Sequence, residues 1–558
     1  MVFPLFIRRW TPANTDCHRS LFRPYHKCHV RVASLQVNHF IFMPTVVFYR
    51  LNQILLAPNR RPYKYHLLIM NHDRLFSLFT LSGILFCYLI LAGPAIADGG
   101  LDEQAEIKTG DELTSSNNTY GTVDLADHYR ETAREIITAA TQTHRAFDRL
   151  TYFTDYFPHR LSGSEMLENA IDWAVTELES DGIPEVRKQE VMVPHWVRGN
   201  EFAKMVTPYE KELPMLGLGG TVNTAGEELT ARTVVVESFD ELEKRSNEIP
   251  GNIVVYNQPF TDYGRSVQYR VYGADRAAEH GAIGVLLRSV TPNSMGHPHT
   301  GGTRYSGEVP EIPIAAISAE DARLLHRFDR RDDPATVTLY MEAELKEESA
   351  LSHNVIAEIP GSERPEEIVV IGGHIDSWDV GQGAMDDAGG VIVTWEALRL
   401  IYEMDLQPKR TIRLVLWTNE ENGVMGGRAY RDKVIENGEL ENHQLAFEVD
   451  FGVFQPLGYG FQGPEETYRM LEPIAELMSP LRDMHLREGS YGTVDIGPLQ
   501  REGVPIMGLD VDTEEYFWYH HSAKDTIDKL DPDEIAECIA AVAVMAFITA
   551  DMPDRLPW

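Results

Sequence analysis

Residues 367–390 read EIVVIGGHIDSWDVGQGAMDDAGG: an apolar run that ends in His374, a glycine-rich loop, and the pair Asp386 and Asp387. The run has the length and β-branched content of a buried strand, and the apolar stretch up to Glu403 has the length of a helix. A strand followed by a helix is the repeating unit of α/β folds. This segment therefore predicts an α/β core with polar side chains just beyond the end of a strand.

Three later apolar runs also end in polar residues. They are TIRLVLWTNEE (411–421), LAFEVD (445–450) and VPIMGLDVD (504–512), the last of which leads into YHHS (519–522). In an open α/β sheet, catalytic groups collect outside the carboxyl ends of the strands. We therefore expect five potential metal ligands to meet there: His374, Asp386, Glu421, Asp450 and His521. A catalytic zinc usually takes three protein ligands and a water, so five ligands fit two metals about 3.5–4 Å apart if one carboxylate bridges them.

Neighbouring residues are expected to support these ligands. Asp376 lies two residues after His374 and could accept its second ring N–H, which is the usual way to orient a ligand imidazole. Asp387 lies at a predicted helix start, where it could instead be a simple N-cap. Glu420 and Glu421 point differently at a strand end, so one can bind metal while the other meets the bound water. Each signal alone has a simple structural explanation, and only the ordered set is specific.

The charge of the chain excludes one class of function. The 558 residues carry a formal net charge of −35. Residues 1–97 contain 11 of the 50 Lys and Arg but only Asp16 and Asp73 as acidic residues, which leaves 39 basic and 83 acidic residues, a net −44, from Asp98 onward. Such an acidic surface repels nucleic acids and anionic membranes. We therefore expect no nucleic-acid role, and the length allows two or three domains.

The sequence from Met70 has the pattern of a secretory signal: a short polar start, an apolar run, and the cleavage pattern Ala95-Ile96-Ala97. The alternative is a retained membrane anchor. Residues 1–69 are basic and aromatic without a sustained period, and we interpret them as an over-extended start. Cleavage near Ala97 would leave Cys538 as the one remaining cysteine of four. We therefore expect an exported protein without a stable membrane anchor, an internal disulfide or a cysteine metal site.

Composition and periodicity divide the chain into segments. Short β runs surround a helix–strand unit between residues 222 and 347, and the parent pattern of strands and helices resumes after them. The predicted fold is α/β, with a mixed, largely parallel sheet sandwiched by helices and an inserted β/α domain. The segments are 1–69, a spurious or disordered extension; 70–97, the signal peptide; 98–122, a flexible acidic leader; 123–221, the first part of the catalytic domain; 222–347, the inserted domain; and 348–558, the second part with the metal site.

Several motifs, together with the 372–390 block, resemble the co-catalytic zinc aminopeptidase superfamily and, within it, the carboxypeptidase Q family. They are RLSGSEMLENAIDW (160–173), PHWVRG (194–199), YGRSVQYRVYGA (263–274) and HHSAKDT (520–526). The resemblance covers nearly the whole chain after the predicted signal. It implies a mixed sheet between helices, an inserted region like a protease-associated domain, two zinc ions, and a short peptide substrate with a free N-terminus.

The resemblance also implies residue roles. His374 and Asp450 would bind one zinc, Glu421 and His521 the other, with Asp386 as the bridge and Glu420 as general base and acid. It further implies a cis peptide between Asp386 and Asp387. Asp376, Asp387 and Asp525 are expected to support the ligands, and Tyr516 or Tyr519 to donate to an oxyanion.

Other functions on the same fold remain open from the sequence. One is a broad aminopeptidase that acts on longer peptides; a second is a glutaminyl-cyclase-like acyltransferase, which uses one zinc. A third is an inactive, receptor-like homologue, although no ligand position is missing here. The inserted region is expected to cover the metal cleft, and the sequence leaves a homodimer open.

Overall fold

The computed structural model describes residues 125–293, 295–490 and 492–558. The segments 1–69, 70–97 and 98–122, for which an extension, a signal peptide and an acidic leader were predicted, lie outside these residues. Within the described ranges, no helix combines the length and apolarity needed to cross a membrane.

The described residues form strands and α-helices that alternate along most of the chain. The strands are β1 (Glu185–Val193), β2 (Trp196–Val197), β3 (Glu201–Thr207), β4 (Lys211–Leu213), β5 (Met215–Gly217), β6 (Leu229–Val236), β7 (Ile253–Tyr256), β8 (Gly284–Arg288), β9 (Ile314–Ile317), β10 (Thr336–Met341), β11 (Glu344–Leu345), β12 (Ala350–Ile359), β13 (Arg364–His374), β14 (Arg410–Trp417), β15 (His443–Glu448), β16 (Pro456–Gln462), β17 (His485–Glu488) and β18 (Ile506–Val511). The helices are α1 (Leu125–Thr141), α2 (Arg145–Tyr156), α3 (Glu165–Ser180), α4 (Phe239–Lys244), α5 (Tyr263–Ala278), α6 (Ala319–Asp329), α7 (Gly389–Glu403), α8 (Met425–Asn437), α9 (Glu465–Glu476), α10 (Gly497–Gln500), α11 (Tyr516–Tyr519) and α12 (Pro532–Asp551).

The larger core is built on a mixed sheet with the strand order β1-β12-β14-β13-β15-β18-β16-β17. Its four central strands, β14, β13, β15 and β18, are parallel to one another, and antiparallel pairs lie on both sides of them. The predicted mixed, largely parallel sheet is therefore confirmed. Parallel strands need long crossover connections, and the helices supply them.

Helices cover both faces of this sheet, as the alternation of side chains along β13 requires. Val369 and Ile371 pack into the core formed with α7 and α12, whereas Ile368 and Val370 pack against α8 on the opposite face. α12 is apolar nearly all round because it is buried in the first of these cores.

A second eight-stranded sheet lies between β1 and β12 in the chain and has the order β4-β3-β10-β6-β7-β8-β9-β5. α4 and α5 pack on one face and α6 on the other. The predicted boundary at residue 222 is too late, because β3, β4 and β5 at 201–217 already belong to this sheet. The reason is physical: β3 pairs antiparallel with β10, more than 120 residues away, and no local pattern marks such a partner.

The carboxyl ends of the four central strands meet at one edge of the larger sheet. His374 ends β13, Glu420 and Glu421 follow β14, and Asp450 follows β15. His521 lies in the loop after β18 and α11. The fold therefore collects the predicted ligand positions at a single edge, as expected for an α/β sheet.

Candidate metal centre

The five predicted ligand residues form two groups of atoms that share Asp386. His374 Nε2 lies 3.3 Å from Asp386 Oδ1 and 3.2 Å from Asp450 Oδ1. His521 Nε2 lies 3.2 Å from Asp386 Oδ2 and 3.0 Å from Glu421 Oε2. The structure thus brings all five side chains together, with Asp386 between the two histidines.

The spacing of these atoms fits two zinc ions. Two ligands of one tetrahedral zinc, with bonds of about 2.0–2.1 Å, lie roughly 3.3 Å apart. The four distances above, 3.0–3.3 Å, match that value. His374 Nε2, Asp386 Oδ2 and Glu421 Oε1 are buried without a hydrogen-bond partner. Buried polar atoms normally have a hydrogen-bond partner. Bound metal cations would take the place of the missing partners of these three atoms.

The electrostatics of the cluster also favour bound cations. Burial raises the pKa of Glu421 to about 7 and that of Glu420 well above its usual range. Burial likewise raises the pKa of Asp450, with the charge of Asp386 adding to the effect. Buried like charges are costly unless compensated, and bound cations would be the largest compensating charges in the site. The donor set of imidazoles and carboxylates is one that zinc accepts.

The loop before α7 holds Asp386 in place through its backbone. The peptide bond between Asp386 and Asp387 is cis, as the resemblance implies. Asp525 accepts hydrogen bonds from the backbone N–H groups of Ala384 and Met385, each at 2.9 Å. Burial raises the pKa of Asp525 to about 7. The Asp525 carboxylate therefore fixes the turn that carries the shared ligand.

The Asp387 side chain points away from the position that Asp386 occupies between the two histidines, and it accepts a hydrogen bond from the backbone of His374. Its Oδ2 accepts from the backbone N–H of His374, and its Oδ1 from that of Gly390, both at 3.0 Å. The backbone of Gly390 approaches very closely, since a Cβ there would lie 1.9 Å from the Val449 carbonyl oxygen. The glycine-rich sequence around the Asp pair thus permits a contact between α7 and the loop that follows β15.

Asp376 contacts both the histidine for which it was predicted and the end of the neighbouring strand. Its backbone carbonyl lies 3.0 Å from His374 Nδ1, where it can accept the second ring N–H, whereas its carboxylate is 3.7 Å away. The carboxylate instead accepts from the backbone N–H groups of Glu420, at 3.0 Å, and Glu421, at 3.3 Å. The reason is that β13 and β14 are adjacent and in register, with His374 opposite Trp417. The Asp376 side chain therefore reaches the end of the neighbouring strand.

Glu420 lies beside the ligands and faces a cavity. Its Oε2 is 4.0 Å from His374 Nε2, farther than the ligand carboxylates. The cavity has a volume of about 310 Å³, and both Glu420 and Glu421 line it. Glu420 is thus placed to reach a molecule in the cavity without taking a ligand position.

The two tyrosines predicted as oxyanion donors lie in different places. Tyr516 is buried, lines the cavity, and stacks on Phe451 with 4.7 Å between ring centroids. Tyr519 does not line it, and its hydroxyl donates to Glu515 at 3.3 Å. The structure therefore excludes Tyr519 from that role in this arrangement, because its hydroxyl faces an exposed carboxylate. Adjacent residues of the short helix α11 point in different directions.

The sequence analysis did not identify one tyrosine and two arginines that contact the centre or line its cavity. Tyr263 and Arg270 of α5, in the segment that contains the second sheet, line the cavity. Arg160 is fully buried and donates to the carbonyls of Ile375, Gln382 and Gly383. A single basic residue in a helix or loop carries no spatial signal, and only the fold places these side chains.

Comparison with known proteins agrees with this geometry. Peptidase family M28 matches residues 354–546, which include the five ligand positions. The chain is 43% identical over 432 residues to carboxypeptidase Q of Xenopus laevis, across 77% of this chain and 91% of that protein. The chain belongs to peptidase family M28. Within the family it is also 39% identical over 485 residues to carboxypeptidase Q of Homo sapiens, across 86% of this chain and 99% of that protein.

A solved M28 structure has the same fold. The crystal structure of a peptidase M28 precursor from Shewanella amazonensis SB2B superposes with a TM-score of 0.74 at 33% identity, covering 77% of this chain and 99% of that one. The predicted membership in the co-catalytic zinc peptidase superfamily, near carboxypeptidase Q, is confirmed. The chain is accordingly a zinc-dependent peptidase that acts on peptides, which confirms the enzyme class predicted from the sequence.

Proposed function

We propose that the chain is an exported dipeptidase that binds two zinc ions and hydrolyses short peptides with a free N-terminus, with Glu420 as general base. The observation that carries the proposal is the pair of atom groups sharing Asp386, with Glu420 next to them at a cavity. His374 and Asp450 would hold one zinc, Glu421 and His521 the other. Asp376, Asp387 and Asp525 would orient these residues through the backbone contacts described above.

The chain's own residues then perform the proton transfers. When bound, two zinc ions would supply a water of lowered pKa and a Lewis acid for the scissile carbonyl. Glu420 would remove the proton of the attacking water and return it to the leaving amine, the two roles of one general base and acid. The hydroxyl of Tyr516 would donate to the oxygen that becomes negative. The free α-amino group of the substrate would pair with the carboxylates of the centre.

Specific features favour this function over the alternatives. A glutaminyl-cyclase-like enzyme uses one zinc, whereas here His374 and Asp450 complete a second group of ligand atoms 3.2 Å apart. An inactive homologue would be expected to lack ligands, and all five are present and adjacent. A cavity of about 310 Å³ lies at the small end of ligand sites, which span about 300–1,000 Å³. A cavity of this size can hold a dipeptide, the proposed substrate.

The remaining assignments are proposals of the same kind. Residues 70–97 would direct export and be removed near Ala97, and the segment with the second sheet would be a protease-associated-like domain. A homodimer is compatible with the proposal, which requires only one chain per centre.

The experiment uses protein that begins at Asp98, with zinc content measured by mass spectrometry. We expect two zinc ions per chain and hydrolysis of free dipeptides, with N-acetylated dipeptides at least about 100-fold slower. Faster cleavage of peptides of five or more residues would favour the broad aminopeptidase instead. Formation of pyroglutamate from N-terminal glutamine peptides, without hydrolysis, would indicate the cyclase class.

A further inference from the structure

Two residues in the loop between β8 and β9 of the second sheet bond to the backbone around His521. His299 Nδ1 lies 2.7 Å from the His520 carbonyl, and the Thr300 N–H donates to the His521 carbonyl at 2.8 Å. Because a carbonyl can only accept, His299 Nδ1 carries the ring hydrogen and donates it. The second sheet therefore contacts the segment that presents one of the proposed zinc ligands.

These two bonds hold the peptide groups on either side of the His521 Cα. The His520 carbonyl belongs to the peptide that precedes this Cα, and the His521 carbonyl belongs to the peptide that follows it. Since each peptide is planar, fixing both planes fixes the two backbone dihedral angles of His521. The direction of the Cα–Cβ bond follows from those angles. His299 and Thr300 therefore act on the aim of the His521 ring through its backbone.

The backbone of His521 has a conformation that needs such support. Its φ is +58°, in the left-handed region that residues other than glycine adopt infrequently. Such a conformation persists where the surrounding structure over-determines it. Within the segment itself, the Ser522 N–H donates to the Tyr519 carbonyl at 3.1 Å. The bonds from the second sheet add a constraint from outside the segment.

The two proposed ligand histidines differ in how their rings are oriented. A metal-binding imidazole normally donates its second ring N–H to a carboxylate, a carbonyl or a water. His374 Nδ1 lies 3.0 Å from the Asp376 carbonyl, which can accept that hydrogen. Among the described residues, the hydrogen-bond contact of His521 Nδ1 is with Arg270 Nη1 at 3.3 Å, and a guanidinium has no acceptor. The orientation of the His521 ring therefore depends on its backbone.

His299 is itself fixed to the second sheet. Its backbone N–H donates to Ser289 Oγ at 2.9 Å, and that hydroxyl donates to the Ile317 carbonyl, at the end of β9, at 2.7 Å. The residue is 2% exposed, and its Nε2 is buried without a hydrogen-bond partner. Within the part of the chain that the structure describes, the bond from Nδ1 is thus the one that the ring makes. A path of hydrogen bonds runs from β9 to the backbone of the proposed ligand.

We infer that His299 is a positioning residue for the zinc ion held by Glu421 and His521. The inference rests on the proposed two-zinc peptidase function and adds a residue to it. His299 would set the backbone of His521 so that its Nε2 faces Asp386 and Glu421, from which it lies 3.2 and 3.0 Å. The ligands of the other zinc ion come from the larger sheet alone, so that ion would not depend on His299.

The first test measures zinc affinity in the otherwise unchanged protein. His299→Leu removes the donor and keeps a buried side chain of comparable size. We expect one zinc ion to bind with unchanged affinity and the second about 10- to 100-fold more weakly, the range for loss of a group that orients a metal ligand. Chelator-buffered zinc, with the bound metal counted by mass spectrometry, gives both affinities. Dipeptide hydrolysis should recover as free zinc is raised, because the variant lacks metal rather than a reacting group.

Two backgrounds identify which half of the centre is weakened. His374→Ala keeps the zinc site of Glu421 and His521. In that background His299→Leu should weaken zinc binding by the same factor. His521→Ala keeps the zinc site of His374 and Asp450, and here the added substitution should have no effect. The loss is thereby assigned to one site and separated from a general loss of stability.

A pair of amide variants tests the position of the donor. His299→Asn keeps an N–H donor as many bonds from Cα as Nδ1 and should recover most of the lost affinity. His299→Gln carries the same amide one bond farther from Cα and should not recover it. His326→Leu is the matched control, because the His326 ring contacts Asn257 at 2.8 Å inside the same segment. It should leave both zinc affinities unchanged.

The outcomes separate this inference from the function on which it rests. Equal weakening of both zinc ions, no change in His299→Leu, an equal effect of His326→Leu, or equal affinities in the two amide variants would overturn the inference and leave the peptidase function intact. A wild type that binds fewer than two zinc ions, or that cleaves no dipeptide, would instead overturn the proposed function.

Discussion

Replacing Glu420 by glutamine isolates the proton-transfer step from metal binding. Glutamine has nearly the same shape, and the backbone N–H of residue 420 would keep its hydrogen bond to Asp376 at 3.0 Å. The Glu420 side chain lies 4.0 Å from His374 Nε2 and faces the cavity. The substitution therefore removes a base and a negative charge but no close ligand atom. We expect metal content to stay near two zinc ions per chain.

The expected loss of rate is large. Removal of a positioned general base typically costs about 10²–10⁴-fold, which corresponds to about 3–5 kcal/mol in the activation barrier. The upper end applies here, because Glu420 would handle both the water proton and the leaving amine. Steady-state hydrolysis of a free dipeptide gives kcat/KM, and mass spectrometry gives zinc per chain for the same preparation.

Two matched substitutions control this experiment. Glu421→Gln alters a side chain 3.0 Å from His521 Nε2, so this variant should lose zinc as well as activity. Glu436→Gln alters an exposed glutamate of α8 that pairs with Lys433 and should change neither. Turnover of Glu420→Gln within about tenfold of wild type, at full zinc occupancy, would refute the assignment of the base.

Three further predictions concern metal sharing, pH and packing. Asp386→Ala should lose both zinc ions, whereas His374→Ala should mainly lose one; two zinc ions retained without Asp386 would show that the bridge lies elsewhere. Burial lowers the pKa of His443 to about 4, so between about pH 6.5 and 4 the unfolded chain binds a proton that the folded chain does not, and stability falls as pH falls. This contribution to the free energy of unfolding is up to about 3 kcal/mol. Urea unfolding at pH 7 and 4.5 should show that His443→Gln loses less free energy of unfolding between the two pH values than the wild type does. An equal loss in both proteins would contradict the prediction. Gly390→Ala should destabilise by about 1–3 kcal/mol through overpacking against Val449, and Gly264→Ala, whose nearest contact is 3.6 Å, should not.

The α/β core and the ligand cluster could be predicted because their signals are local. β13 reads as a short apolar run that ends in His374, and the equivalent positions after β14 and β15 carry Glu421 and Asp450. Once the strands are taken as parallel, their carboxyl ends must meet. No tertiary information is needed for that step. The meeting of the five proposed ligand residues at one edge of the sheet therefore followed from one-dimensional patterns and a rule about sheets.

The errors concern partners that sequence distance conceals. The start of the second sheet was placed at 222 because β3, at Glu201–Thr207, is recognisable only through its pairing with β10. Asp376 was expected to accept from the His374 ring, and its backbone carbonyl does lie 3.0 Å from His374 Nδ1. The sequence did not indicate that its carboxylate would also accept from the backbone N–H of Glu420, after the adjacent strand. In both cases the sequence did not reveal a contact across the sheet.

The residues around the proposed centre come from two different sheets. The five proposed ligand residues and Glu420 lie at a strand end or in loops at one edge of the larger sheet, whereas Tyr263 and Arg270 come from a helix on the second sheet. The second sheet reaches the centre through backbone as well as side chains: the Thr300 N–H donates to the His521 carbonyl at 2.8 Å. A change in the second sheet can therefore act on the proposed centre through the position of His521, whereas substitutions at the strand ends should change metal binding directly.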